Sequence, residues 1–265
     1  MIKKILHRLN PNKNHNKIFF LHVPKCGGTS LENAIINSYI SLDYRHDRKL
    51  IREDSINSAK TGALLYNYDY LHGDVNDYEI LKFREFYLAY LMYRQKFFIR
   101  GHFTFSQKIY NEFKNDYCFI TILRDPVKKW LSNYYYRKNR GSGHWKIDLS
   151  LKEYIDSELA LVHGYDYSKY FGGKRKDNNY DDVGHIERAK KALENFKIIG
   201  FLEHLDDFQN MLNEKFNYNF KIPHKNISKN QEVEVPLELK KKIEKICKVD
   251  IEIYDFAIKR FRKQK

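Results

Sequence analysis

The sequence predicts an α/β fold with a central, mainly parallel sheet flanked by helices. Three observations predict it. Short apolar runs of strand length alternate along the 265-residue chain with segments whose apolar residues recur at helical spacing, as expected of β-α-β units. The stretches of strongest chemical character lie just past such runs, at strand carboxyl ends, where open α/β sheets bind ligands. Hydrophobic residues make up 42% of the chain against 31% charged, enough to bury a core. Residues 1–16 read as a basic flexible tail, and residues 17–265 as a single domain.

Ile18 to Val23 is an apolar run of strand length. Pro24 to Gly28 interrupts it, and Leu31, Ala34, Ile35 and Tyr39 then share one helical face. This unit reads strand, glycine loop, helix. Residues 41–97 are rich in Tyr, Asp and Arg, with breaks at Gly62 and Gly73. They read as irregular structure plus one helix near 77–94. Phe97 to Ile99 is a second strand, ending at Arg100-Gly101-His102. Tyr117 to Leu123 is a third, ending at Arg124-Asp125-Pro126. Val127, Trp130, Leu131 and Tyr134 resume helical spacing up to Arg137. Arg140 to Trp145, with two glycines, reads as a mobile loop. Residues 149–162 and 185–195 read as helices, Lys197 to Phe201 as a strand, and 205–215 as a helix. Pro223 to Val235 is a polar connection, and Leu237 to Arg262 has the spacing of one amphipathic helix or two.

Lys and Arg outnumber Asp and Glu by 48 to 34, a net charge of +14. Such a charge favours nucleic acid, nucleotides, acidic glycans or anionic lipid without choosing among them. Cys26, Cys118 and Cys247 are far apart, with no CxxC or Cys/His metal spacing. Free thiols in a reducing compartment, and no metal, are expected. No apolar run approaches the roughly 18–20 residues of a membrane helix. The basic, Asn-rich N-terminus lacks the apolar stretch of a secretory signal. The expectation is a cytoplasmic protein with no membrane span, whose charge permits peripheral contact with anionic lipid.

Three motifs suggest chemistry. The first is His22-Val23-Pro24-Lys25-Cys26-Gly27-Gly28-Thr29-Ser30. A Gly-Gly loop lets backbone amides approach an anion, and the following helix offers unpaired N–H groups at its positive end. Lys25 adds charge; Thr29 and Ser30 add hydroxyl donors. The plainer alternative is a helix cap, with Glu32 completing a capping box. The lysine precedes the glycines, so this is not the GxxxxGK[ST] pattern of an ATP-binding loop. The second motif is Leu123-Arg124-Asp125-Pro126, with Ser132 eight residues after Arg124. An arginine fork and a hydroxyl can bracket one phosphate; a salt-bridged turn and a surface serine are the alternative. The third is Arg100-Gly101-His102-Phe103-Thr104-Phe105. An imidazole at a strand end suits proton transfer from a hydroxyl at neutral pH, although a lone histidine is more often structural. Lys128, Lys129, Arg137, Lys138 and Arg140 form a basic stretch nearby, readable as part of the site or as a solvated helix face.

Taken together, the first motif and the Leu-Arg-Asp-Pro-Val…Leu-Ser-Asn-Tyr-Tyr run about 100 residues later resemble the carbohydrate sulfotransferases, most closely the group containing heparan sulfate 2-O-sulfotransferase. The Gly-His-Phe-Thr-Phe segment fits the same group, as do Ile199-Gly200-Phe201-Leu202-Glu203 and Asp250 to Phe256. The resemblance spans residues 18–262. It implies a P-loop-like sulfotransferase fold and transfer of a sulfuryl group from 3′-phosphoadenosine 5′-phosphosulfate (PAPS) to a carbohydrate hydroxyl. The product would be 3′-phosphoadenosine 5′-phosphate (PAP), and no metal would be needed. On this resemblance Lys25, Cys26, Gly27, Gly28, Thr29 and Ser30 hold the 5′-phosphosulfate. Arg124 and Ser132 hold the 3′-phosphate, and Ser228 and Lys229 supply a late nucleotide loop. His102 is the general base, and Lys25 also stabilises the leaving group. The acceptor would be a glycan, polysaccharide or glycolipid, acidic ones included, and nucleic acid is not expected as a partner. Two departures stand out: Arg100 occupies the first position of the heparan enzyme's His-Gly-His triplet, and the N-terminal membrane anchor of the Golgi enzymes is not expected from this sequence. A tyrosylprotein sulfotransferase, a nucleotide-dependent kinase and a basic nucleic-acid-binding protein are the alternative readings.

Overall fold

The computed structural model describes residues 17–38, 57, 60–62, 64, 65, 77–139, 146–177, 179–223 and 235–262. Four parallel strands form its sheet: β1 (Lys17–Leu21), β2 (Phe98–Gly101), β3 (Tyr117–Leu123) and β4 (Ile198–Phe201), in the order β2-β1-β3-β4. Leu21 pairs with Gly101 on one side and Thr121 on the other, and Leu123 pairs with Phe201. All four strands therefore end along one edge. Every residue of β2, β3 and β4 is buried, as are Ile18 to Leu21 of β1. This burial on both faces is why the strands read as continuous apolar runs rather than alternating ones.

The helices are α1 (Gly28–Ser38), α2 (Asp77–Tyr93), α3 (Gln107–Phe113), α4 (Pro126–Lys138), α5 (Leu151–Ile155), α6 (Glu158–Val162), α7 (Asp166–Gly172), α8 (Val183–Leu193), α9 (Leu205–Phe216), α10 (Leu237–Ile246) and α11 (Lys248–Phe261). The chain runs from β1 to β2 on one side, then to β3 on the other side of β1. The crevice between the ends of β1 and β3 is thus the point where the winding reverses, the usual ligand position in such sheets.

Several expected boundaries shift, each for a local reason. The stretch 149–162 is two helices, because Ser157 starts a new one by accepting from the Ala160 N–H. Residues 237–262 break at Cys247 into α10 and α11. Helices α3 and α7 were not expected from the sequence. The first strand stops at Leu21 rather than Val23. The tail 1–16, the 140–145 loop, and the candidate residues Ser228 and Lys229 lie outside the described residues.

The main core surrounds the sheet. A second apolar cluster, centred on Trp130, Tyr134, Tyr154 and Ile243, joins α4, α5 and α10. Between them the Lys129 ammonium is buried, 1% exposed, and donates to Asp166 (2.7 Å) and Asp250 (3.0 Å). Burial opposes that charge, but the two carboxylates outweigh it and raise the Lys129 pKa. Lys129 is therefore an internal tie between α4, α7 and α11, not a member of a solvated or ligand-facing basic stretch.

Candidate active site

The loop after β1 is shaped by its backbone. Thr121 Oγ1 on β3 donates to the Leu21 carbonyl at 2.9 Å, closing the end of the strand. Lys25 has φ +65° and Gly27 φ +78°, so two left-handed residues bracket Cys26 and turn the chain into α1. A side chain at Gly28 would put its Cβ 2.1 Å from the His22 ring, and at Gly27 2.7 Å from Leu202. Close packing of the loop requires both glycines. A non-glycine residue held at positive φ is a backbone cost that folds retain mainly at functional positions. The Ser30 and Leu31 amides return to the Gly27 carbonyl (3.1 and 3.5 Å). The amides of Gly28 and Thr29 precede those bonds, at the positive end of α1. Thr29 is exposed and Ser30 half-buried. The Lys25 ammonium sits 3.9 Å from the centre of the Tyr136 ring of α4. Burial, then Arg124, lowers its pKa to about 8.

Cys26 contributes its main chain to this loop. Its thiol is buried and turned inward, 3.6 Å from both the Pro24 carbonyl and the Tyr167 hydroxyl. Burial pushes that thiol up to about 12, so it stays protonated.

Arg124, just past β3, is buried, and its Nη1 donates to the Lys25 carbonyl at 3.1 Å. The second and first motifs are thus in contact. Asp125 caps α4 by accepting from the Lys128 N–H at 2.8 Å, with Pro126 in the first turn. Ser132 is half-buried on α4, one turn before Tyr136 and on the same helical stripe. That stripe faces Lys25, since Tyr136 covers the Lys25 ammonium.

His102 lies just past β2 and is half-buried. Its Nδ1 is 2.8 Å from the His22 carbonyl. A carbonyl only accepts, so Nδ1 carries the proton and Nε2 of the neutral ring is the acceptor. The His102 ring stacks on the His22 ring, with centroids 4.8 Å apart. His22 Nδ1 in turn accepts from Arg100 at 2.7 Å, and Arg100 pairs with Glu32 of α1 at 3.5 Å. Arg84 of α2 donates to the His102 carbonyl at 3.1 Å. Burial, then Arg100 and Arg84, pushes the His102 pKa down to about 3. Burial, then His102, Arg100 and Lys25, lowers that of His22. Arg100 is therefore a buried support behind the His22 and His102 rings.

A model of the sulfotransferase family matches residues 12–257. The chain belongs to that family. Human heparan-sulfate 6-O-sulfotransferase 2 is 26% identical over 183 residues, covering 54% of this chain and 29% of its own length. Human uronyl 2-sulfotransferase is 29% identical over 109 residues, covering 34% of this chain and 26% of its own. The chain thus spans under a third of the length of these curated relatives. Its parallel sheet flanked by helices is the fold expected of the family.

The structure brings together Lys25 to Ser30, Arg124 and His102 at one sheet edge, with Ser132 on the adjoining helix stripe. Among the described members of the basic stretch, only Lys128 is exposed at the helix surface. Lys138 donates to the Asp148 carbonyl at 2.6 Å, Arg137 to Asn133 at 3.2 Å, and Arg140 is outside the described residues. Sequence reasoning assigned no role to the His22 ring, Tyr167 or Glu203. His22 was within the quoted motif, and its place at the strand end beside the glycine loop was the available signal.

Proposed function

We propose that this enzyme transfers a sulfuryl group from PAPS to a carbohydrate hydroxyl. The observation that carries the reading is the convergence of three strand ends: a glycine-bent amide loop with Lys25, a buried arginine touching that loop, and an imidazole whose Nε2 is left as the acceptor.

The donor set suits the nucleotide. The loop amides, Lys25, Thr29 and Ser30 match a terminal phosphosulfate. Arg124 and Ser132 match a further phosphate on the ribose. In the reaction the acceptor hydroxyl oxygen bonds to sulfur as the bond from sulfur to the bridging phosphate oxygen breaks. His102 Nε2 takes the hydroxyl proton. The Lys25 ammonium faces the charge that builds on the departing phosphate, a role commonly worth roughly 3–4 kcal/mol. The names of the curated relatives and the net charge of +14 support a glycan acceptor, acidic ones included.

Titration calorimetry with PAP and with ADP, in EDTA, tests this. Micromolar PAP binding with much weaker ADP binding is the expected result, and it justifies acceptor screening with labelled PAPS. Folded protein that ignores PAP rules the donor out.

A further inference from the structure

Two stretches that stand out in the sequence, Ile199 to Glu203 and Asp250 to Phe256, play no part in the chemistry above. We propose that Glu203, Asp250 and Tyr254, together with Tyr167, form a positioning frame. It fixes the main chain of Arg124–Asp125 and so sets the Arg124 guanidinium for the donor's 3′-phosphate. The inference rests on the donor reading just given.

Arg124 begins where the sheet stops, since the last pair of β3 with β4 is Leu123 with Phe201. Its own N–H and C=O are satisfied by a side chain instead. The Tyr167 hydroxyl accepts from the Arg124 N–H at 2.8 Å and donates to the Arg124 carbonyl. The next amide, that of Asp125, donates to Glu203 Oε1 at 3.1 Å, and Glu203 Oε2 accepts from the Tyr254 hydroxyl at 3.1 Å. Tyr254 lies nearly parallel to Tyr167, with an interplanar angle of 16°.

Tyr167 is itself held. It lies in the first turn of α7, whose N-cap residue Tyr165 provides no side-chain cap. Asp250 of α11 replaces the cap: its Oδ1 accepts from the Tyr167 N–H (2.8 Å) and the Ser168 N–H (3.3 Å). Its Oδ2 accepts from Lys129, whose ammonium lies 4.9 Å from the centre of the Tyr167 ring. Tyr167, Asp250 and Lys129 are each at most 1% exposed. A side chain whose main chain is clamped on both sides arrives at its ligand pre-organised, with less ordering cost on binding. The frame also reaches the first motif, through the Tyr167 hydroxyl against the Cys26 thiol. It therefore fixes the arginine relative to the loop.

Tyr167→Phe keeps the ring and removes the hydroxyl. Calorimetric titration of wild type and Y167F with PAP and with 5′-AMP, which lacks the 3′-phosphate, reads the preference that the frame sets. Wild type is expected to prefer PAP, and Y167F to lose about tenfold of that preference with AMP affinity kept within about twofold. Tyr254→Phe releases Glu203 and leaves Tyr167 in place; it is expected to lower the same ratio by about threefold. If Y167F does not fold, the ratio in Y254F decides. An unchanged ratio in the folded variants, even with a lower melting temperature, overturns the frame and leaves the donor reading standing. Wild-type protein that binds PAP no better than AMP overturns the donor reading, and the frame with it.

Discussion

Lys25 and His102 are tuned in the same direction with opposite consequences. Burial keeps His102 neutral far below its ordinary range, at about 3, so its acceptor form is present throughout the physiological range. In the proposed reaction Lys25, lowered to about 8, must hold its proton to stabilise the leaving group, and it loses that proton as pH rises. The profile of kcat/KM, which reports the free enzyme, is therefore expected to be flat through pH 6–7 and to fall above about pH 8. In kcat the basic limb moves higher, because a bound polyanion favours the ammonium. Lys25→Arg stays charged to much higher pH; it is expected to lose the limb near pH 8 along with part of the rate. An inflection near pH 6.5 in wild type contradicts a neutral His102. His102→Ala is expected to lower kcat by about 10²–10⁴-fold while leaving the PAP dissociation constant within about twofold. Near-wild-type turnover in that variant removes His102 from the chemistry.

Helices α4, α7 and α11 meet at one buried ammonium, and this junction also marks the limit of what the sequence makes legible. Strands β1, β3 and β4 are readable because a strand covered on both faces is a short, unbroken apolar run. The motifs after them are readable because they sit at strand ends in a fixed order. Helix α7 is not readable: Asp166–Gly172 is seven residues, and its cap is a carboxylate 83 residues away. Tyr167 and Glu203 escape for the same reason, since their partners are distant main-chain groups that leave no local pattern. Lys129 looks like its exposed neighbour Lys128, and only packing separates them. Lys129→Met leaves buried Asp250 and half-buried Asp166 without their cation, and is expected to cost about 3–5 kcal/mol, read as a lower urea midpoint. Asp250→Asn keeps an oxygen for the Tyr167 and Ser168 amides and is expected to cost less. Equal losses in the two variants contradict the capping role of Asp250.

At the scale of the whole molecule, a net charge of +14 draws anions to the sheet edge, and the same molecule excludes protons from its interior. His22, His163 and His185 are buried, and burial, the largest cause in each, lowers all three pKa values, that of His185 to about 4. In the unfolded chain they titrate near 6.5. Between these values the unfolded state binds more protons than the folded one, so stability falls as pH drops. Half-buried His102 acts with the same sign. Asp250 acts against them: burial raises its carboxyl to about 7 although Lys129 opposes the rise, so across the same window the folded state favours a proton there that the unfolded chain does not hold. The imidazoles outnumber this one carboxyl, so a net loss of stability is expected between pH 6.5 and 5. The melting temperature is expected to fall over the same interval. Scanning calorimetry at the two pH values checks this. A melting temperature that holds or rises on acidification means that these histidines take up protons in the folded state. The Arg100–His22 bond behind the proposed base, in which His22 Nδ1 must accept, could not then be as described.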